Sequence, residues 1–237
     1  AGDLPIETAD AIVAATKQLL QQPIDYTMFP LDPIQGGAGT SMNMNVNEVV
    51  ANLALELLGD EKGNYARINP NDHVNRGQST NDVYPSAGKL AMIRLMAPLF
   101  DELEALISTL GAKADEFARV YKMGRTQLQD AVPMTLGNSF HAYLKPLRRD
   151  LRRLQDAEAA LHTLNLGGSA IGSGINVSYH YQVHVIPKLE TVTGLELFQA
   201  VDLFDATQNL DVFTTLSGAL KTLAVNLSKM SNDLRLL

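Results

Sequence analysis

Three stretches of polar residues carry types that could do chemistry. The first is Gly36, Gly37, Ala38, Gly39, Thr40 and Ser41, followed by Asn43, Asn45 and Asn47. Glycines ahead of a helix let backbone N–H groups come close to a ligand, and hydroxyls at a helix start suit an oxyanion. The Lys that a phosphate loop needs after its last glycine is missing. The second stretch is Gln78, Ser79, Thr80, Asn81 and Asp82. Two adjacent hydroxyls and an amide exceed what one helix cap requires, and several neutral donors beside a helix N-terminus make a cradle for a carboxylate. The third is Gly124, Arg125, Thr126, Gln127, Leu128, Gln129 and Asp130, a polar patch between two helical regions. Each has a plainer reading: Thr40 or Ser41 as a helix cap, one member of the second stretch as another, and Arg125 paired with Asp130 in an ordinary loop.

Other candidates are weaker. His180 and His184 are four apart and could share a helix face toward a metal, but no HExxH order surrounds them and two satisfied histidines are the simpler account. Gly168, Gly172 and Gly174 resemble half a dinucleotide fingerprint without a strand-helix-strand unit around it, so a tight interhelical turn is expected. Asp101, Glu102 and Glu104 read as a solvated helix face. Arg148, Arg149, Arg152 and Arg153 are interleaved with Asp150 and Asp156, which favours helix salt bridges over a polyanion site.

The elements that must position these residues read as helices. Pro5 followed by Glu7 and an Ala, Ile and Val face predicts a helix over residues 5–20. A second is predicted over 42–58, closed by Gly59, and a long helical region over 82–120 with Pro98 and Gly111 as kinks or a break. Phe140, Leu144, Leu147, Leu151, Leu154 and Leu161 lay one apolar stripe along a helix. Phe213, Leu216, Leu220, Leu223, Leu227, Met230, Leu234 and Leu237 lay another, stepping by three and four. Stripes of this length want partner helices and favour an all-α bundle of long, near-parallel helices. Period-2 alternation is confined to about residues 195–201. The second stripe still runs at Leu236 and Leu237 with no Gly, Asn or Pro to end it, and the sequence opens a few residues before a helix. The expectation is therefore a segment of a longer chain.

Composition bounds the partners. The 237 residues are 46% hydrophobic and 19% charged, in the range of chains that fold rather than stay disordered. A net charge of −7 gives no field for nucleic acid or anionic lipid. The absence of cysteine removes disulfides and thiol chemistry, and with no secretory leader legible in residues 1–10 a reducing, cytoplasmic location is expected. No apolar run approaches the roughly 18 residues of a membrane helix.

Taken together, Gly39-Thr40-Ser41-Met42-Asn43-Met44-Asn45 with Glu48, Asn69-Pro70-Asn71-Asp72-His73-Val74-Asn75 leading to Gln78-Ser79-Thr80-Asn81-Asp82, and Gly124-Arg125-Thr126-Gln127-Leu128-Gln129-Asp130-Ala131 resemble the aspartase/fumarase superfamily of lyases. The resemblance extends through Ser217-Gly218-Ala219-Leu220 and Asn232-Asp233-Leu234-Arg235. It implies a long-helix bundle assembled as a homotetramer, with each active site built from three subunits. Residues 1–81 would then be the remainder of an N-terminal helical domain, and residues 82–237 a central bundle domain incomplete at its C-terminus.

Fumarases resemble Gly-Arg-Thr-His at the third motif, where this chain has Gln127, as one group of aspartate ammonia-lyases does. Gln donates and accepts hydrogen bonds but does not titrate. The segments Asn165 to Asn176 and Val201 to Thr207 look more like the same group. The resemblance implies reversible deamination of L-aspartate to fumarate and ammonia. It gives Thr40, Ser79 and Thr80 to the β-carboxylate and its aci form, and Asn81, Thr126 and Gln127 to the departing amino group. No metal or organic cofactor is implied, although divalent ions activate some relatives. The family's catalytic base, a Ser in a Gly-Ser-Ser loop followed by Met-Pro and a Lys, is expected beyond Leu237, so these residues alone are expected to be inactive. Fumarate hydratase, or a non-catalytic helical oligomerisation core, are the alternatives.

Overall fold

The computed structural model describes residue 2, residues 4–21 and residues 23–236. Leu237, the last member of the second stripe, lies outside the described residues, as do Ala1 and Asp3 of the segment read for a leader. In chain order the elements are α1 (Ile6–Gln21), α2 (Thr40–Leu57), a π-helical turn (Pro70–Val74), α3 (Thr80–Glu116), β1 (Tyr121–Thr126) and β2 (Gln129–Thr135). There follow α4 (Leu136–Ala159), β3 (Thr163–Leu164), α5 (Tyr179–Thr193), β4 (Phe198–Gln199), α6 (Leu203–Gln208) and α7 (Asp211–Leu236). The fold is predominantly helical, as the stripes predicted. The chain forms two compact units, one from Ala1–Gly88 with Thr163–Asn209, the other from Lys89–His162 with Leu210–Leu237.

In the first unit α1 packs on α2 through small residues. Ala11 and Ala15 meet Val50, Ala51, Ala54 and Leu55 over Ile68, so the two backbones approach closely and exclude water. Helix α2 closes as the glycine after it predicted. Gly59 takes φ +71°, its N–H donates to Glu56 O, and the Asp60 N–H donates to Leu55 O, the paired bonds of a Schellman cap. In a short parallel pair, β3 with β4, only β4 falls inside the stretch whose alternation was legible; its partner at residues 163–164 lies outside it. Helix α5 starts on Ser178, whose Oγ accepts from the Tyr181 N–H, and stops at Gly194 with φ +72°.

The second unit rests on the two stripes. Leu144, Leu147, Leu154 and Leu161 are buried along α4 and the turn after it, and Leu216, Leu223 and Met230 are buried along α7, which packs on α4. Asp150 is fully buried between them, accepting from Arg153 and from Asn226 Nδ2 at 2.7 Å. That contact is the helix salt bridge expected of the Arg-rich run. Asp101, Glu102 and Glu104 are exposed, as read.

Two expectations are corrected here, the first only as to a break in the long helix. Helix α3 runs unbroken through Pro98 and Gly111 for 37 residues. Ile93, Met96, Leu103, Ile107 and Leu110 are buried on both sides of the proline, and that burial outweighs the roughly 3 kcal/mol a proline costs inside a helix. The third polar stretch is also no plain loop. It is the tip of an antiparallel hairpin, with Arg125 facing Asp130 and Thr126 facing Gln129 across the strands. Arg125 and Asp130 are register partners without forming an ion pair among the described residues.

Candidate functional site

Thr40 is the first residue of α2, but it does not cap it. The capping position is Gly39, at φ +81°, and no side chain closes the helix start. A Cβ at Gly39 would lie 2.5 Å from the Tyr84 ring, so glycine is required there both for its left-handed backbone and for space. The Thr40 hydroxyl is exposed and is not spent on the helix that carries it.

The second stretch forms the start of α3, and here the hydrogen bonds sort the groups by role. Ser79 Oγ accepts the Asn81 N–H at 3.2 Å, and the Ser79 N–H donates to Asp82 Oδ1 at 2.9 Å, a reciprocal cap. Thr80 Oγ1 accepts from Asn43 Nδ2 at 3.1 Å, and Asn43, buried in the first turn of α2, also reaches Asn75 Oδ1 at 3.4 Å. Each hydroxyl oxygen thus accepts one protein donor, and neither O–H donates to a protein acceptor among the described residues, so both protons are available to a ligand. Asn43 also ties the first turn of α2 to that of α3. The structure therefore brings Thr40, Ser79, Thr80 and Asn81 onto two linked helix N-termini, where the backbone dipoles favour an anion.

A second layer lies beneath. Asp82 has no exposed surface; its Oδ2 accepts from the Gly167 N–H at 3.2 Å and the Ser169 N–H at 3.0 Å. Burial raises its pKa above the usual carboxylate value, against the opposing effect of those backbone donors. Asn165, also fully buried, donates to Asn81 O at 3.0 Å and Thr207 Oγ1 at 3.1 Å, while Ser86 Oγ donates to it at 3.4 Å. Asn81 Nδ2 donates to Ala170 O at 2.7 Å. Asn43, Asp82 and Asn165 stand in motifs legible in the sequence, yet apart from the local cap between Ser79 and Asp82 nothing in their spacing assigns them a role, because their other partners come from segments far along the chain.

Beside α3 the π-helical turn opens with Asn69, whose side chain accepts from the Asn71 and Asp72 N–H groups, while its own N–H donates to His73 Nδ1 at 3.0 Å. A polar cleft of about 620 Å³ lies against this turn, lined by Asn71, Asp72, Arg76, Gln78, Ser178 and Tyr181 among others. Burial, and then the charge of Asp82, push the Tyr181 hydroxyl up to about 12, so it stays protonated at neutral pH. The cleft adjoins the second motif through Gln78 without being lined by the four candidate donors.

Thr126 and Gln127 belong to the other unit, exposed at the hairpin tip. Gln127 and Leu128 both take left-handed backbone, φ +52° and +64°, as a two-residue hairpin turn of this type demands and as neither side chain favours. Among the weaker candidates, His180 and His184 stack with ring centroids 4.1 Å apart, and no cluster able to hold a metal occurs among the described residues. Gly168, Gly172 and Gly174 form a tight loop between β3 and α5. Gly172 and Gly174 both donate their N–H to Gly168 O at 3.0 Å, in place of any dinucleotide fold.

A family model described as lyase matches residues 1–237. The chain is a lyase of the aspartase/fumarase superfamily. Similar relatives of this lyase include the aspartate ammonia-lyase of Helicobacter pylori, 52% identical over 90% of this chain and 45% of the relative. That of Escherichia coli is 47% identical over 99% of the chain and 49% of the relative. Among solved structures, a fumarate lyase:delta crystallin from Brucella melitensis bound to cobalt superposes with a TM-score of 0.92 at 48% identity, covering 99% of this chain and 51% of that one. A class II fumarase from Schistosoma mansoni gives 0.91 at 34% identity, over 98% and 52% respectively. The lyase chain spans about half the length of the curated relatives it matches. No helix among its described residues is long and apolar enough to cross a membrane.

Proposed function

We propose that the protein deaminates L-aspartate reversibly to fumarate and ammonia, as a cytoplasmic homotetramer whose sites combine residues from different subunits. The observation that carries this reading is the pair of hydroxyls, Ser79 and Thr80, each of which accepts one protein donor and has no protein acceptor for its own proton among the described residues. A base removes a proton from the carbon next to the β-carboxylate. The electron pair moves into that carboxylate as a doubly charged aci form, then returns to form the double bond as the Cα–N bond breaks and ammonia leaves. Neutral donors at two helix N-termini suit a charge that grows on one carboxylate. Thr40, Ser79 and Thr80 take that carboxylate; Asn81, Thr126 and Gln127 face the amino group. In a composite site Thr126 and Gln127 act in a cavity completed by another protomer.

No Gly-Ser-Ser followed by Met-Pro occurs in residues 1–237, so these residues alone are expected to supply binding groups without the base. They should release no fumarate from aspartate. Appearance of fumarate absorbance with this polypeptide as the only protein would refute that.

Fumarate hydration is the second reading, favoured by the likeness to the Schistosoma mansoni class II fumarase. Gln127 weighs against it, since a side chain that does not titrate can orient an ammonium group but cannot relay protons to water. Following fumarate consumption in the full chain with either ammonium or water as the only nucleophile separates the two. Loss of absorbance only with ammonium supports deamination, and loss with water alone overturns it.

A further inference from the structure

Asn81 is the candidate whose orientation is decided by its neighbours. An asparagine amide can offer either its oxygen or its nitrogen to a substrate, and an amino group that must leave protonated requires the oxygen. The Ala170 carbonyl, which can only accept, takes Asn81 Nδ2 at 2.7 Å, and this fixes which end of the amide is spent on the protein. The amide oxygen accepts no hydrogen bond among the described residues and is left for a ligand's N–H. Ala170 is itself exposed, in a glycine-rich loop whose place is set by hydrogen bonds to its backbone, among them Gly168 N–H to Asn165 O and Gln199 Nε2 to Leu166 O. Two backbone N–H groups of that loop, Gly167 and Ser169, converge on Oδ2 of the buried Asp82, while Oδ1 takes the Ser79 N–H at the start of the same helix. One carboxylate therefore joins the loop to the helix turn that carries Ser79, Thr80 and Asn81.

We propose that Asp82 is a positioning residue: its carboxylate fastens the loop at residues 167–170 so that the Ala170 carbonyl holds the Asn81 amide with its oxygen free for the substrate's amino group. The inference rests on the deaminase reading above and gives it a source of discrimination between aspartate and dicarboxylates that lack nitrogen. A side chain touching no substrate thereby selects for one. Gly168 offers an independent handle on the same loop. A methyl there would lie 3.0 Å from Asn165 O and 3.1 Å from Gly172 Cα, so Gly168→Ala shifts the loop slightly with the Asp82 carboxylate intact.

The test uses the full chain in four forms besides wild type: Asp82→Asn, Gly168→Ala, Asn81→Ala, and Asp82→Asn combined with Asn81→Ala. Fumarate absorbance gives kcat/KM for L-aspartate, and competitive inhibition gives the affinity for succinate, which lacks the amino group. Expected are a loss of at least tenfold in aspartate kcat/KM for Asp82→Asn and at least threefold for Gly168→Ala, with succinate affinity within threefold of wild type in both. The double variant should lose no more than Asn81→Ala alone, since a residue acting through another contributes nothing once that partner is gone. Equal losses for aspartate and succinate, or losses that multiply in the double variant, overturn the proposal. If Asp82→Asn does not fold, Gly168→Ala decides: selective loss supports the inference, and wild-type kinetics overturn it. Wild-type protein that makes no fumarate from aspartate sinks the functional reading and this inference with it. An active wild type with an unimpaired Asp82→Asn sinks this inference alone.

Discussion

At the scale of single residues, the hydroxyls of the second motif have two jobs that mutation separates. Ser79→Ala removes a helix cap, worth about 1 kcal/mol of stability, and Thr80→Ala leaves the buried Asn43 amide with one partner fewer at a similar cost. Removing a donor from an oxyanion site costs about 2.7–4 kcal/mol in the transition state. Each variant of the full chain should therefore lose roughly 10²–10³ in kcat while its urea midpoint moves only slightly, and near wild-type turnover in Thr80→Ala would end its assignment to the aci-carboxylate. Tyr181 gives a different signal. Its pKa of about 12 lies above the ordinary tyrosine value of 10.0, so the folded state holds this proton more tightly than the unfolded state. The resulting stability is complete below pH 10 and is lost as pH rises toward 12, by on the order of 2 kcal/mol. Urea unfolding at pH 8, 10 and 11 should show that decline, and Tyr181→Phe should flatten it. The hydroxyl and amide donors were legible in the sequence because each motif is local. The Asp82 latch was not, since the N–H groups that define it belong to residues 167 and 169.

At the scale of elements, periodicity was legible and strand pairing was not. Helix α7 follows its stripe because steps of three and four mark a helix face whatever surrounds it. The hairpin at residues 121–135 reads in the sequence as a polar connection because its tip is Gln127-Leu128 rather than the Asn-Gly or Asp-Gly that announces such a turn. That mismatch stores strain. Leu128→Gly should relieve it and raise stability by about 0.5–1 kcal/mol, measured by chemical denaturation, against the greater freedom glycine gives the unfolded chain. The opposite case is Gly39, where both φ and the Tyr84 ring exclude a side chain. Gly39→Ala should destabilise by more than about 2 kcal/mol and pull Thr40 out of register with Thr80, seen as lost thermal stability and a raised KM together.

At the scale of the whole molecule, α7 presents more apolar surface than α4 covers. Leu216, Leu223 and Met230 are buried, whereas Leu220, Val225 and Leu234 are 38%, 60% and 42% exposed. Under the proposed tetramer these residues meet another protomer. Sedimentation velocity of the full chain should then give one species of four chains, and Val225→Asp should lower its mass without reducing its helical content. An unchanged mass would remove this face from the interface. The two compact units have a further consequence for how the chain is made. Each is assembled from two stretches separated in sequence, so neither is complete when its first half leaves the ribosome. Residues Ala1–Gly88 must wait for Thr163–Asn209, a delay on the order of ten seconds at ordinary rates of translation. During that interval the Asp82 carboxylate has no loop to hold, because the N–H groups of Gly167 and Ser169 are not yet made.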